Sequence, residues 1–141
     1  MAYDLDLIRT ALKTLLATIT EIAFVYDRRN PNIEGFPAVI FDITNNENIM
    51  LTNTQNQRTI TYTLYIIAEI GVAGATQANT ILDVATKKVV EILEDKDNIT
   101  LSGNADWIMP VMGAREEVSS PNGSQIWQQL DLQVRVVSSI L

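Results

Sequence analysis

The chain has 141 residues, 47% of them hydrophobic and 19% charged, with no cysteine, no histidine, a net charge of −7 and a pI near 4.4. That length and balance predict one globular domain with a buried core, not a disordered segment. They exclude a disulfide framework, a thiolate metal site and the clustered Lys and Arg with which proteins neutralise nucleic-acid phosphates.

The first element in chain order is a helix. Leu5, Ile8, Leu12, Leu15, Leu16 and Ile19 recur at helical spacing, with Arg9 and Lys13 on the other side. Asp4 suits the N-cap, and Asp6 suits the positive end of the helix dipole. Ile22-Ala-Phe-Val-Tyr26 reads as a short strand, and Arg28 to Pro37 as a loop dense in turn formers. Ala38 to Thr44 is a strand that Asn45-Asn-Glu-Asn48 is expected to turn back, with another strand beginning at Ile49-Met-Leu51. Thr52 to Arg58 is a polar arm or hairpin tip. Thr59 to Ile67 alternates, with Ile60, Tyr62, Leu64 and Ile66 facing one way and the threonines the other.

Gly71-Val-Ala-Gly74 breaks the pattern before a second helix, roughly Thr76 to Glu94, whose apolar face is Ala78, Ile81, Leu82, Ala85, Val89, Ile92 and Leu93. After a polar connection, Trp107 to Met112 and Arg115 to Val118 form an interrupted strand. Pro110 cannot donate to a ladder and Gly113 invites a bulge, so this strand belongs at an edge. Ser119-Ser-Pro-Asn-Gly-Ser124 is a turn. From Gln125 to Val137 the chain then forms a strand that, at ~3.3 Å per residue, reaches about twice the usual length. Apolar Leu130, Leu132, Val134 and Val136 alternate there with Asp131, Gln133 and Arg135.

The predicted fold is therefore α+β, a largely antiparallel sheet with two helices packed on one face, in the order α-β-β-β-β-α-β-β. The other sheet face carries Thr59, Thr61, Thr63, Gln129, Asp131, Gln133 and Arg135, and is either wet or an interface. Trp127 shares its parity and suits either the rim of the core or an interface anchor.

Chemistry is hard to place on this chain. Without histidine it lacks the commonest general base and transition-metal ligand. Glu116 and Glu117 are adjacent, so on a strand they point to opposite faces and make no catalytic pair. Asp95-Lys-Asp97 opens like a calcium loop, but the glycine of the sixth position is Thr100 and the last position is Asp106, so it reads as a helix end. Gly71 to Gly74 matches neither the dinucleotide nor the P-loop pattern. Asn98-Ile-Thr100 and Asn122-Gly-Ser124 fit the glycosylation sequon, but the acidic start of the chain does not resemble a secretory signal, and an intracellular setting fits. No apolar run approaches the roughly 20 residues of a membrane-spanning helix. Arg28 and Arg29 are a loop pair able to meet phosphate or a partner's carboxylates. No catalytic, cofactor or metal residues emerge.

The opening Tyr3-Asp-Leu-Asp-Leu-Ile-Arg-Thr-Ala-Leu12 helix, the Phe24-Val-Tyr26 strand, the Thr59 to Ile67 strand before a long helix and the closing Gln128 to Val136 strand together resemble the tail-terminator proteins of long non-contractile tailed bacteriophages. The resemblance spans nearly the whole chain and is one of layout. It implies a non-enzymatic subunit, assembled in the host cytoplasm, that forms a ring, commonly a hexamer, at the head-proximal end of the virion tail. Such a ring caps the tail tube, stops its polymerisation and docks the head connector or neck protein, while DNA crosses its lumen without specific binding. It implies no cofactor and no membrane. By position along the chain, the matching contact surfaces are the loop at Arg28 and Arg29, the arm at Asn53, Gln55, Gln57 and Arg58, and the last strand at Trp127, Gln129, Asp131, Gln133 and Arg135. Two other readings stand beside it: a head-completion or neck adaptor protein, and a small-ligand α+β regulatory domain.

Overall fold

The computed structural model describes residues 4–29, 32–71, 74–120 and 123–139. Parts of the predicted loops and turns, namely Asn30 and Pro31, Val72 and Ala73, and Pro121 and Asn122, lie outside the described residues, as does Tyr3.

Helix α1 spans Leu5–Ala17 and opens where the sequence places its cap: the Asp4 carboxylate accepts from the Asp6 and Leu7 amides at 3.0 and 3.1 Å. Ile8, Leu12 and Leu16 form its buried stripe. Arg9 and Lys13 turn outward to pair with Asp6 and Asp27. Strand β1 (Phe24–Tyr26) lies parallel to the start of β2 (Ala38–Met50), which pairs antiparallel with β3 (Gln55–Ile70). Helix α2 (Ala75–Glu94) follows, then β4 (Trp107–Ser120) and β5 (Gly123–Ser139). The sheet order is β1-β2-β3-β5-β4, antiparallel except for the β1–β2 pair.

The α+β class agrees with the sequence reading, but three strands, not four, separate the helices. Asn45 to Asn48 does not turn the chain. It lies inside β2, paired with Thr61 to Arg58, and the turn comes later, at Leu51 to Thr54. The asparagines satisfy local preferences without breaking the strand. The Asn46 amide donates to the Asn45 side chain, the Asn45 amide side chain donates to Glu47, and the register shifts between Ile43 and Asn45. A bulge has absorbed what composition alone reads as a turn.

One core joins both helices to one sheet face. Val39, Phe41, Ile60, Leu64, Ile66, Leu130, Leu132, Val134 and Val136 pack against the stripes of α1 and α2. Each such side chain contributes about 1.5–3 kcal/mol when fully buried. On α2 the apolar face is rotated slightly from the expected one: Ile81 is exposed, and Thr86 is buried in line with Leu82, Val89 and Leu93. The α2 stripe follows Ala78, Leu82, Ala85, Thr86, Val89 and Leu93, and Ile81 sits on its shoulder. Gly74 caps this helix at φ 88°, a left-handed conformation that a side chain would strain.

Candidate assembly surface

The sheet face turned away from the helices is built from cross-strand rows, because directly opposed residues share a face. Ile40, Tyr65 and Gln129 form one row, Asp42, Thr63 and Asp131 the next, and Asn45, Thr61 and Gln133 the third. Glu47, Thr59 and Arg135 follow. Strict alternation along β3 and β5 puts these side chains on one side while their neighbours fill the core.

The rows nearest β1 enclose a cleft of about 320 Å³ lined by Arg29, Ile40, Asp42, Thr44, Thr63, Tyr65, Trp127 and Gln129. The Arg29 guanidinium binds Asp42 at 2.9 Å and the Ile43 carbonyl at 3.2 Å, tying the preceding loop to β2. At the bulge Thr44 bonds the Thr61 carbonyl and the Thr63 hydroxyl, and Thr63 donates to Asp131 at 3.0 Å. Tyr65 and Trp127 meet edge to face with centroids 5.2 Å apart, and the indole N–H donates to Gln125 at 2.9 Å. Trp127 is thus half-buried on the outer face and not part of the core.

Both sides of the sheet end in long edges. β1 pairs only with Ala38, Val39 and Ile40, so β2 from Phe41 onward has no outer neighbour among the described strands. β4 is the opposite edge, as Pro110 and Gly113 suggested, with its register shift between Met112 and Arg115. The bulge brings β4 close to the outer face: a Cβ on Gly113 would stand 3.1 Å from the Gln129 side chain. Met109, Val111 and Met112 are exposed along this edge. At the turn between β2 and β3, Ile49, Met50 and Leu51 are 52%, 70% and 45% exposed. Scattered surface hydrophobics are ordinary, but two groups at separate edges are concentrated.

The structure therefore divides the expected contact residues. Arg29, Trp127 and Gln129 line the cleft, and Asp131 is bonded to two of its walls. Gln133 and Arg135 lie further along the same face, with Gln57 at its far end opposite Val137. Asn53 and Gln55 are exposed at the turn, Arg58 faces the opposite side from Gln57 by parity, and Arg28 is an exposed loop residue. Sequence reasoning missed Tyr65, Asp42 and Thr44. Tyr65 shares the parity of Thr61 and Thr63, so its position was readable, whereas the Arg29–Asp42 pair needed the tertiary fold.

It also missed a polar knot beneath the β4 bulge. Gln128 occupies a core position and is only 4% exposed. Its amide donates to the Gly113 and Gln129 carbonyls, each at 3.0 Å, and its carbonyl accepts from Arg115 Nε at 2.9 Å. Arg115 continues to Asp83 at 2.7 Å and Asn79 at 3.2 Å, fastening the bulge to α2. No group of three or more acidic side chains among the described residues is placed to hold a metal, and no described helix is long and apolar enough to cross a membrane.

No protein-family model matches the chain, and no curated protein matches it. Among solved structures, it is similar to a chain from a virion of a native gene transfer agent particle, at 14% identity and a TM-score of 0.47, covering 90% of this chain and 84% of that one. At those values the likeness is one of general layout and bears no functional argument.

Proposed function

We propose that this chain is a virion assembly protein, a tail-terminator subunit that forms a ring on the end of a phage tail tube and offers a docking surface to the head connector. The observation that carries this reading is an edge strand, β2, whose second half projects past the core that its neighbours β3 and β5 still share. β2 is buried from Ala38 to Phe41 and exposed from Thr44 to Met50, while its partner strands run alongside to the end. A ring needs heterologous contacts, one patch meeting a different patch on the next copy. The exposed β2–β3 turn and the β4 edge are two such patches, and an open edge accepts a neighbour's strand. The polar face and the surplus of acids, seventeen against ten basic residues, suit a lumen through which DNA slides without sticking.

The test is the native mass of the protein, alone and mixed with purified tail tubes, followed by electron microscopy of the tube ends. Rings that cap tubes and halt their growth are the expected result. Rings that bind portal complexes and ignore tubes would instead identify a neck adaptor. A monomer indifferent to both would refute assembly as the function.

A further inference from the structure

We propose that the free half of the β2 edge, Thr44 to Ile49, pairs with the first half of the β4 edge, Trp107 to Met112, of a second copy. The sheet then runs on from subunit to subunit. The pairing rests on the ring reading above and names the contact from which such a ring is made.

Each edge is open over only part of its length, and the open parts match. On β2, β1 pairs with Ala38 to Ile40 and the Arg29 guanidinium holds the Ile43 carbonyl at 3.2 Å, so the edge is free from Thr44 onward. On β4, the register shift between Met112 and Arg115 divides the strand. Beyond it stand Arg115, Glu116 and Glu117, charges of the kind that defend an edge against strand addition. Before it, Trp107 to Met112 carries no charge, and Met109, Val111 and Met112 are exposed. Pro110 has no N–H, so at most one donor is missing from a ladder here.

Strand direction points to a second copy. The β2–β3, β3–β5 and β5–β4 pairs are all antiparallel, so β2 and β4 run in opposite directions. Rotation about a ring axis keeps the sense of each strand along that axis. β4 of one copy therefore meets β2 of the next antiparallel, the more stable arrangement. Two β2 edges, by contrast, pair only about a two-fold axis, which closes a dimer and leaves β4 unused.

The faces agree as well. Asn45, Glu47 and Ile49 share the outer face with Trp107, Met109 and Val111, which stand opposite Arg135, Gln133 and Asp131. A register that sets Ile49 against Trp107 of the next copy sets Glu47 against Met109 and Asn45 against Val111. Ile49 then packs beside the indole. Glu47 is the only charge in either segment, so no like charges meet. In that register Met112 falls opposite Thr44, and the β4 bulge begins where β1 and Arg29 close the β2 edge. Because a bulge bends its strand, the second half of β4 can leave the line of β2 there.

The chain has no cysteine, so single introduced thiols report the contact without background. Glu47→Cys is mixed with Met109→Cys, and separately with Val111→Cys, on purified tail tubes and oxidised with copper phenanthroline. Antiparallel neighbours bring Cα atoms to about 4.5–5.5 Å, within disulfide reach. Cross-linked dimer should form in at least one mixture and in none of the variants alone. Two β4 positions are used so that a folding defect, or a slip along the same face, does not decide the result. Val84→Cys, on the exposed side of α2, should not cross-link to Glu47→Cys. Capped tubes whose rings give no cross-link would overturn this contact and leave the ring reading standing. Glu47→Cys cross-linking to itself would overturn it in favour of a two-fold pairing of β2 edges. Cross-linking to Val84→Cys as strong as to β4 would overturn it too. Protein that neither forms rings nor cross-links would overturn both readings.

Discussion

The two halves of β2 are built from the same strand geometry and have opposite fates. Ala38-Val-Ile-Phe41 is buried, its first three residues held between β1 and β3. Beyond the bulge at Thr44, the strand keeps its pairing with β3 yet every residue to Met50 is exposed. Hydrogen bonding to a neighbour therefore does not by itself make a core. It needs a second layer, which covers Ile60, Val134 and Val136 at the same level of the sheet but not the second half of β2 at its edge. The exposed end keeps its shape by leaning on β3 and β5, and its side chains are left to solvent or to other molecules.

The largest expected effect attacks the covered end. Leu132 is fully buried on β5, so Leu132→Asp places an unpaired carboxylate in the core and should cost about 4 kcal/mol or more, abolishing the cooperative thermal transition. Gln133→Asp, one residue along on the open face, should leave that transition nearly in place. Equal loss in both would dissolve the distinction between the faces. A smaller effect is expected where a polar group is buried. Gln128→Ala strips partners from Arg115 Nε and the Gly113 carbonyl and should cost about 2 kcal/mol in urea unfolding. An unchanged midpoint would mean that the bulge is held by the ladder alone. The smallest effect on stability belongs to the uncovered end. Ile49→Ser combined with Met50→Ser should change stability by no more than about 0.5 kcal/mol, yet reduce self-association measured by sedimentation. A protein that unfolds readily after these changes would show that the exposed end carries more of the core than its accessibility implies.

Sequence legibility followed the same divide. Where burial is one-sided and regular, as along β3 and β5, alternation revealed the faces, and the N-cap of α1 was visible in Asp4. The pattern failed where local composition and tertiary pairing disagree. Four polar residues in succession at Asn45 to Asn48 look like a turn, and only the presence of β3 alongside makes a strand of them. Ile81 looked like core because hydrophobicity and spacing are judged on α2 alone, whereas the sheet beneath sets which stripe is covered. Gln128 breaks the β5 alternation for a reason that lies elsewhere, in the β4 bulge and in Arg115. Within the cleft, Trp127 and Gln129 were readable as outward-facing. The pairing of Arg29 with Asp42, and the meeting of Tyr65 with Trp127, join distant parts of the chain and leave no periodic trace.

The pairing of β3 with β5 has a consequence for how the chain reaches this state. β2–β3 and β4–β5 are each joined by short connections, so each pair closes over little intervening chain. β3 meets β5 only across the whole of α2 and β4, with Ile70 opposite Ser124 and Gln55 opposite Ser139. Contacts that far apart in sequence are slow to form, because the loop must be closed before pairing returns any stability. On this topology, folding is expected to finish with the docking of two hairpins along their longest seam, with α2 as the tether between them. Until that seam closes, each hairpin shows a long unpaired edge, and the time it stays open is when copies of this chain are most exposed to joining the wrong strand.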